Sequence, residues 1–132
     1  MLTSAGAPAF PPTYRYVDTY VSSMARFGGL EIEILLSGHY PTYRGQEVAE
    51  FLGESRAFVD RVDEVLMREL KSGGSDRTMK EIIAATSSVL GAWPEAASQA
   101  LAFPLLGHLE RLERRRLIEK VRRGDLAAYR TL

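Results

Sequence analysis

The chain has no cysteine and only two histidines, His39 and His108, in 132 residues. The first absence excludes disulfides and thiolate metal sites and fits a reducing cytoplasm, where the chain is expected to reside. The second leaves few imidazoles for any metal centre. No apolar run approaches the ~20 residues that span a bilayer, so no membrane association is expected. The start, Met1-Leu2-Thr3-Ser4-Ala5-Gly6, has no basic region of the signal-peptide kind and continues through Pro8, Pro11 and Pro12, which reads as a loose lead. Internal repeats and low-complexity runs are missing. So is net charge, because 17 Lys and Arg balance 17 Asp and Glu. What remains, 45% apolar and 26% charged residues, is the composition of an ordinary globular chain of about one domain.

The charge that cancels overall is unevenly spread. From Gln46 to Leu70 seven acids face three arginines, and from Pro104 onward eight bases face four acids. Two readings follow: a basic end that meets nucleic acid, or two ends that pair, within the chain or across a dimer.

Apolar residues at three- and four-residue steps (Tyr16, Val17, Tyr20, Val21, Met24, Phe27) predict a helix over Tyr14–Arg26, ended by Gly28-Gly29. Leu30–Leu36 then reads as a short buried strand running into Ser37-Gly38-His39-Tyr40-Pro41. A histidine at the carboxyl end of a buried strand is where α/β enzymes place metal ligands and bases. From Gln46, Val48, Phe51, Leu52, Phe58, Val59, Val62, Val65, Leu66 and Leu70 mark one long helix, closed near Gly73-Gly74. Thr78-Met79-Lys80-Glu81 is a capping box that opens another. Pro94-Glu95 opens a third, which Pro104 is expected to kink or interrupt. Leu117–Val121 and Leu126–Arg130 form a hairpin with Gly124 at the turn. Helix, helix, longer helix and hairpin is the order of a winged helix.

With those residues in view, the chain resembles the C-terminal part of a metallo-β-lactamase-fold hydrolase related to glyoxalase II. Helix, strand and Ser37-Gly38-His39-Tyr40-Pro41 are similar to that family's last αβ unit, whose Gly-His-Gly signature carries the final ligand of a two-zinc site. The resemblance therefore makes His39 a metal ligand. Tyr40 stands where the signature has its second glycine. The family's His-x-His-x-Asp-His motif, further histidine and bridging aspartate have no counterpart in this sequence. The expected architecture is mainly α: a lead (1–13), a terminal αβ unit (14–44), a long connecting helix (45–74) and a winged-helix-like domain (75–132).

A hydrolytic two-metal site needs several donors about 2 Å from each ion to generate a bound hydroxide. One imidazole is too few, so no cofactor is expected on this chain alone and it is not expected to hydrolyse anything by itself. The resemblance implies a parent acting on a thioester, lactone or phosphoester. This chain would serve it as a lid or oligomerisation segment, partnered by the missing catalytic portion or by a second copy. The other reading is a stand-alone winged-helix-like module that binds a protein or nucleic acid, with Arg111, Arg114, Arg115, Arg122 and Arg123 as the phosphate contacts. Glu110 and Glu113 interleave with those arginines and predict ion pairs along the helix instead. His108, between Gly107 and Leu109 on a leucine-lined face, is expected to pack rather than to catalyse.

Overall fold

The computed structural model describes residues 8–38, 41–74 and 76–132. They form α1 (Val17–Gly28), β1 (Ile34–Leu35), β2 (Tyr43–Arg44), α2 (Gln46–Ser72), β3 (Arg77–Thr78), α3 (Met79–Leu90), a short 3-10 helix (Glu95–Leu101), α4 (Ala102–Arg114), β4 (Ile118–Arg123) and β5 (Leu126–Thr131). The mainly helical class and the terminal hairpin are as the sequence predicts. No described helix is long and apolar enough to cross a membrane.

The main core lies in the second half of the molecule. Val62, Leu66 and Leu70 of α2 meet Ile82 and Leu90 of α3, Leu105, Leu109 and Leu112 of α4, and Ile118 and Tyr129 of the hairpin. These α2 residues recur every fourth position, which keeps them on one side of a 3.6-residue helix. The hairpin closes this core as the outer part of a three-stranded antiparallel sheet in the order β3-β5-β4. Its register pairs Arg123 with Leu126 across a two-residue turn. Gly124, at φ 64°, occupies the first turn position, which demands positive φ when the strands twist normally.

Local chemistry sets the helix ends. Thr78 N–H donates to Glu81 Oε2 at 2.8 Å and Glu81 N–H returns a 3.4 Å contact to Thr78 Oγ1, the expected capping box. Arg123 also donates to Glu81 at 2.7 Å. The Arg123 bond first, and the Thr78 bonds second, hold the Glu81 carboxyl down to about 2. Pro104 does not kink a helix. It is the third residue of α4, where the proline's missing N–H would have had no intrahelical partner. The break falls before it, at the change from 3-10 to α geometry. α4 ends in a Schellman arrangement, with Leu117 N–H on Leu112 O at 3.1 Å and Arg116 N–H on Glu113 O at 2.9 Å.

The first half departs from expectation. α1 begins at Val17 rather than Tyr14, because residues 14–16 cross α4 with the Arg15 carbonyl against Gly107. The strand predicted over Leu30–Leu36 shrinks to two residues, paired only with β2. It is also not buried: Leu30, Ile34 and Leu36 are exposed, Leu36 by 76%. The physical reason is that a strand with one two-residue neighbour has nothing over its faces. Among the described residues from 8 to 47, Val17 alone is buried. Ahead of α1, the Pro8 carbonyl accepts from Ala92 N–H at 2.8 Å.

Arg116 sits at φ 57°, a left-handed conformation that costs a side-chain-bearing residue about 1–2 kcal/mol. Arg116→Gly is expected to raise stability by about 1 kcal/mol in urea unfolding, with an unchanged slope.

Candidate functional site

The densest polar chemistry converges on α4, where the segment before α1 crosses it. The crossing is possible because residue 107 has no side chain: a Cβ there would lie 2.0 Å from the Arg15 carbonyl oxygen. One residue later the helix presents His108, which is fully buried. Its Nδ1 stands 2.6 Å from Asp63 Oδ1, on α2. Its Nε2 stands 2.9 Å from the Tyr14 hydroxyl. With a carboxylate in front of it, Nδ1 carries the proton and donates. Burial first, and the charges of Tyr20 and Asp63 second, push the Tyr14 hydroxyl well above the ordinary phenol range, so Tyr14 keeps its proton and donates to Nε2. The network runs in one direction, from Tyr14 to His108 to Asp63.

Asp63 Oδ2 accepts from Arg111 Nη1 at 2.8 Å. Arg111, also buried, reaches Asp18 on α1 with Nε at 3.0 Å. That Nε finds no aligned hydrogen-bond acceptor, so the contact with Asp18 is one of charge. Arg114 bonds Asp18 at 2.7 Å. The Arg114 bond first, and the Arg111 and Arg115 charges after it, hold the Asp18 carboxyl below the usual range. Arg15 grips Glu110 with two bonds of 2.9 and 2.6 Å, a bidentate geometry that lowers the Glu110 carboxyl.

The sequence-predicted residues fall as follows. His39 lies outside the described residues. Arg111 and Arg114 lie on α4 and Arg115 directly after its end, half-exposed and 3.9 Å from Asp63. Arg122 and Arg123 are on the hairpin; Arg122 is exposed near Asp125, and Arg123 is bonded to Glu81 and to the Asp76 carbonyl. The ion pairs predicted along α4 form differently. Glu110 takes Arg15, and Arg114 takes Asp18, because α1 and the segment before it bring closer and better-aligned partners than the helix's own neighbours. Tyr16, counted on the apolar face of the predicted first helix, is exposed.

Tyr14, Asp63 and Asp18 were not singled out by sequence reasoning. One signal was available: Asp63 borders the apolar stripe at Val59, Val62 and Leu66, and a carboxylate at such an edge needs a partner. The cleft beside the crossing, of about 100 Å3, is lined by Arg15, Tyr16, Asp18, Gly107, Glu110 and Arg114, among others. A larger depression of about 550 Å3 involves only residues of α2 and is open helix surface. Among the described residues no three His, Asp or Glu side chains are grouped to hold a metal ion. His108 could not begin such a group, since both its ring nitrogens are engaged. A two-zinc donor set does not fit the described residues.

One solved structure settles the fold. A β-lactamase domain protein from Burkholderia ambifaria matches with a TM-score of 0.72 over 99% of this chain, at 16% sequence identity. The chain shares its fold with part of that protein. It spans 36% of the β-lactamase domain protein's length, so the likeness is to a portion, as the resemblance implied. No protein-family model matches the sequence, and no curated protein does.

Gly107→Ala should destabilise the chain by about 1–3 kcal/mol, because the new methyl overlaps a backbone oxygen that can move only with the whole crossing segment. Thermal unfolding measures it, and a change under 0.5 kcal/mol would contradict the close crossing.

Proposed function

We propose that this chain works as the C-terminal portion of a metal-dependent hydrolase of the metallo-β-lactamase type, as a lid or assembly segment without catalytic competence of its own. The observation that carries this reading is the match of nearly the whole chain to a part of a much longer β-lactamase domain protein. The surface supports it. The β1–β2 ribbon has an open edge, and Leu30, Ile34 and Leu36 stand exposed on and beside it. Open edges and clustered apolar side chains are features that proteins cover. The occupant proposed is the catalytic portion, because the structure matched has almost two-thirds of its length outside the shared part. That portion would supply the metal donors that, with His39, complete a two-zinc site. Substrates of the parent would be thioesters, lactones or phosphoesters.

The second reading, a winged helix that binds nucleic acid, draws on the order helix, strand, two helices and hairpin around a three-stranded sheet. It needs the arginines of α4 and the hairpin free for phosphates. Arg111, Arg114 and Arg123 are instead held by carboxylates, which favours the first reading.

Purified chain dialysed against zinc should retain less than one equivalent and should not hydrolyse thioester or phosphodiester substrates. Ile34→Glu should leave its unfolding free energy within about 0.5 kcal/mol, since that side chain would serve a partner. Stoichiometric zinc with turnover would overturn the proposal, and so would global unfolding by Ile34→Glu. A dimer in light scattering that Ile34→Glu abolishes would give the surface to a second copy instead of a catalytic portion.

A further inference from the structure

The main core is built from residues of α2 onward, starting at Phe58. The segment preceding α1, and α1 itself, contribute no residue to it and rest instead against α2 and α4. Val17 is their single buried residue, seated beside Gly107. Everything else recorded between this segment and α4 is polar: Tyr14 on His108, Arg15 on Glu110, and Asp18 on Arg111 and Arg114. Apolar burial holds elements together in proportion to area, whereas polar contacts exchange with water at small net gain. An element fixed mainly by the second kind opens at lower cost than one fixed by the first.

We propose that residues 8–28 form a strap that undocks from α4 as a unit, with the Tyr14–His108–Asp63 network as its latch. The inference is independent of the hydrolase reading, since it uses only contacts within this chain. Two features favour release. The latch spans the strap, α2 and α4, so breaking the Tyr14 bond frees the strap from the network while His108 and Asp63 stay paired to each other. The Arg111 Nε already lacks an aligned acceptor, and a polar network with an unmet donor is less secure than a complete one. Undocking has a chemical consequence. It takes Asp18 away from Arg114 and Arg15 away from Glu110, while Arg111 keeps Asp63, so one guanidinium and one carboxylate on α4 become open to another partner.

Native-state hydrogen exchange on the full chain tests this. In the wild type, amides of α1 should exchange through an opening that leaves those of α3, α4 and the hairpin protected. Tyr14→Phe keeps the ring and removes only the hydroxyl. It should speed α1 exchange about tenfold, roughly the effect of one lost hydrogen bond, and leave the core amides unchanged. Asp18→Asn, at an exposed position that cannot itself prevent folding, should act in the same local way. The idea fails if α1 amides exchange only with global unfolding, or if either substitution speeds all elements equally.

Discussion

A 2.6 Å hydrogen bond from His108 to Asp63 lies where three segments meet. α4 contributes the imidazole, α2 the carboxylate, and the segment before α1 the phenol that completes the ring's second nitrogen. A fully buried histidine with either nitrogen unmet would cost more than a typical hydrogen bond contributes. The position of each segment is therefore set by the need to satisfy the other two. Gly107 belongs to the same constraint, since only a residue without a side chain lets the Arg15 backbone come close enough for Tyr14 to reach.

Two kinds of cohesion result. From Val62 onward the chain buries leucine, isoleucine and valine from three helices against a hairpin, and that part carries its own core. From Pro8 to Glu47 it buries one residue among those described and adds half-buried apolar side chains, charge pairs and hydrogen bonds. Such a half-dressed αβ ribbon is what a portion of a larger fold would look like when seen without the rest. The match to 36% of a β-lactamase domain protein is consistent with that, and the proposed role as a hydrolase's C-terminal portion rests on the two together.

Much of the helical half was legible in the sequence. The α2 stripe, the Thr78–Glu81 capping box and Gly124 at the hairpin turn are local signals, and local signals survive in the structure. The two-residue strands β2 and β3 were not legible, because such short pairings follow from where distant segments meet. Leu30–Leu36 misled for a related reason: its composition reports an apolar environment, but nothing local says what supplies it. The His108 network was half legible. A histidine on a leucine-lined face announces burial, yet its partners lie 45 and 94 positions away, and no spacing rule connects them. The arginines of α4 show the same limit, being paired with α1 and α2 rather than with their own helix.

The claim most worth testing is that Tyr14, His108 and Asp63 act as one unit. Tyr14 and Asp63 contact the same imidazole from opposite sides, so energetic coupling between them must pass through it. A double-mutant cycle with Tyr14→Phe and Asp63→Asn, followed by urea unfolding, measures that coupling. The account predicts a double variant about 1 kcal/mol less destabilised than the sum of the singles. Additivity within about 0.3 kcal/mol would contradict it.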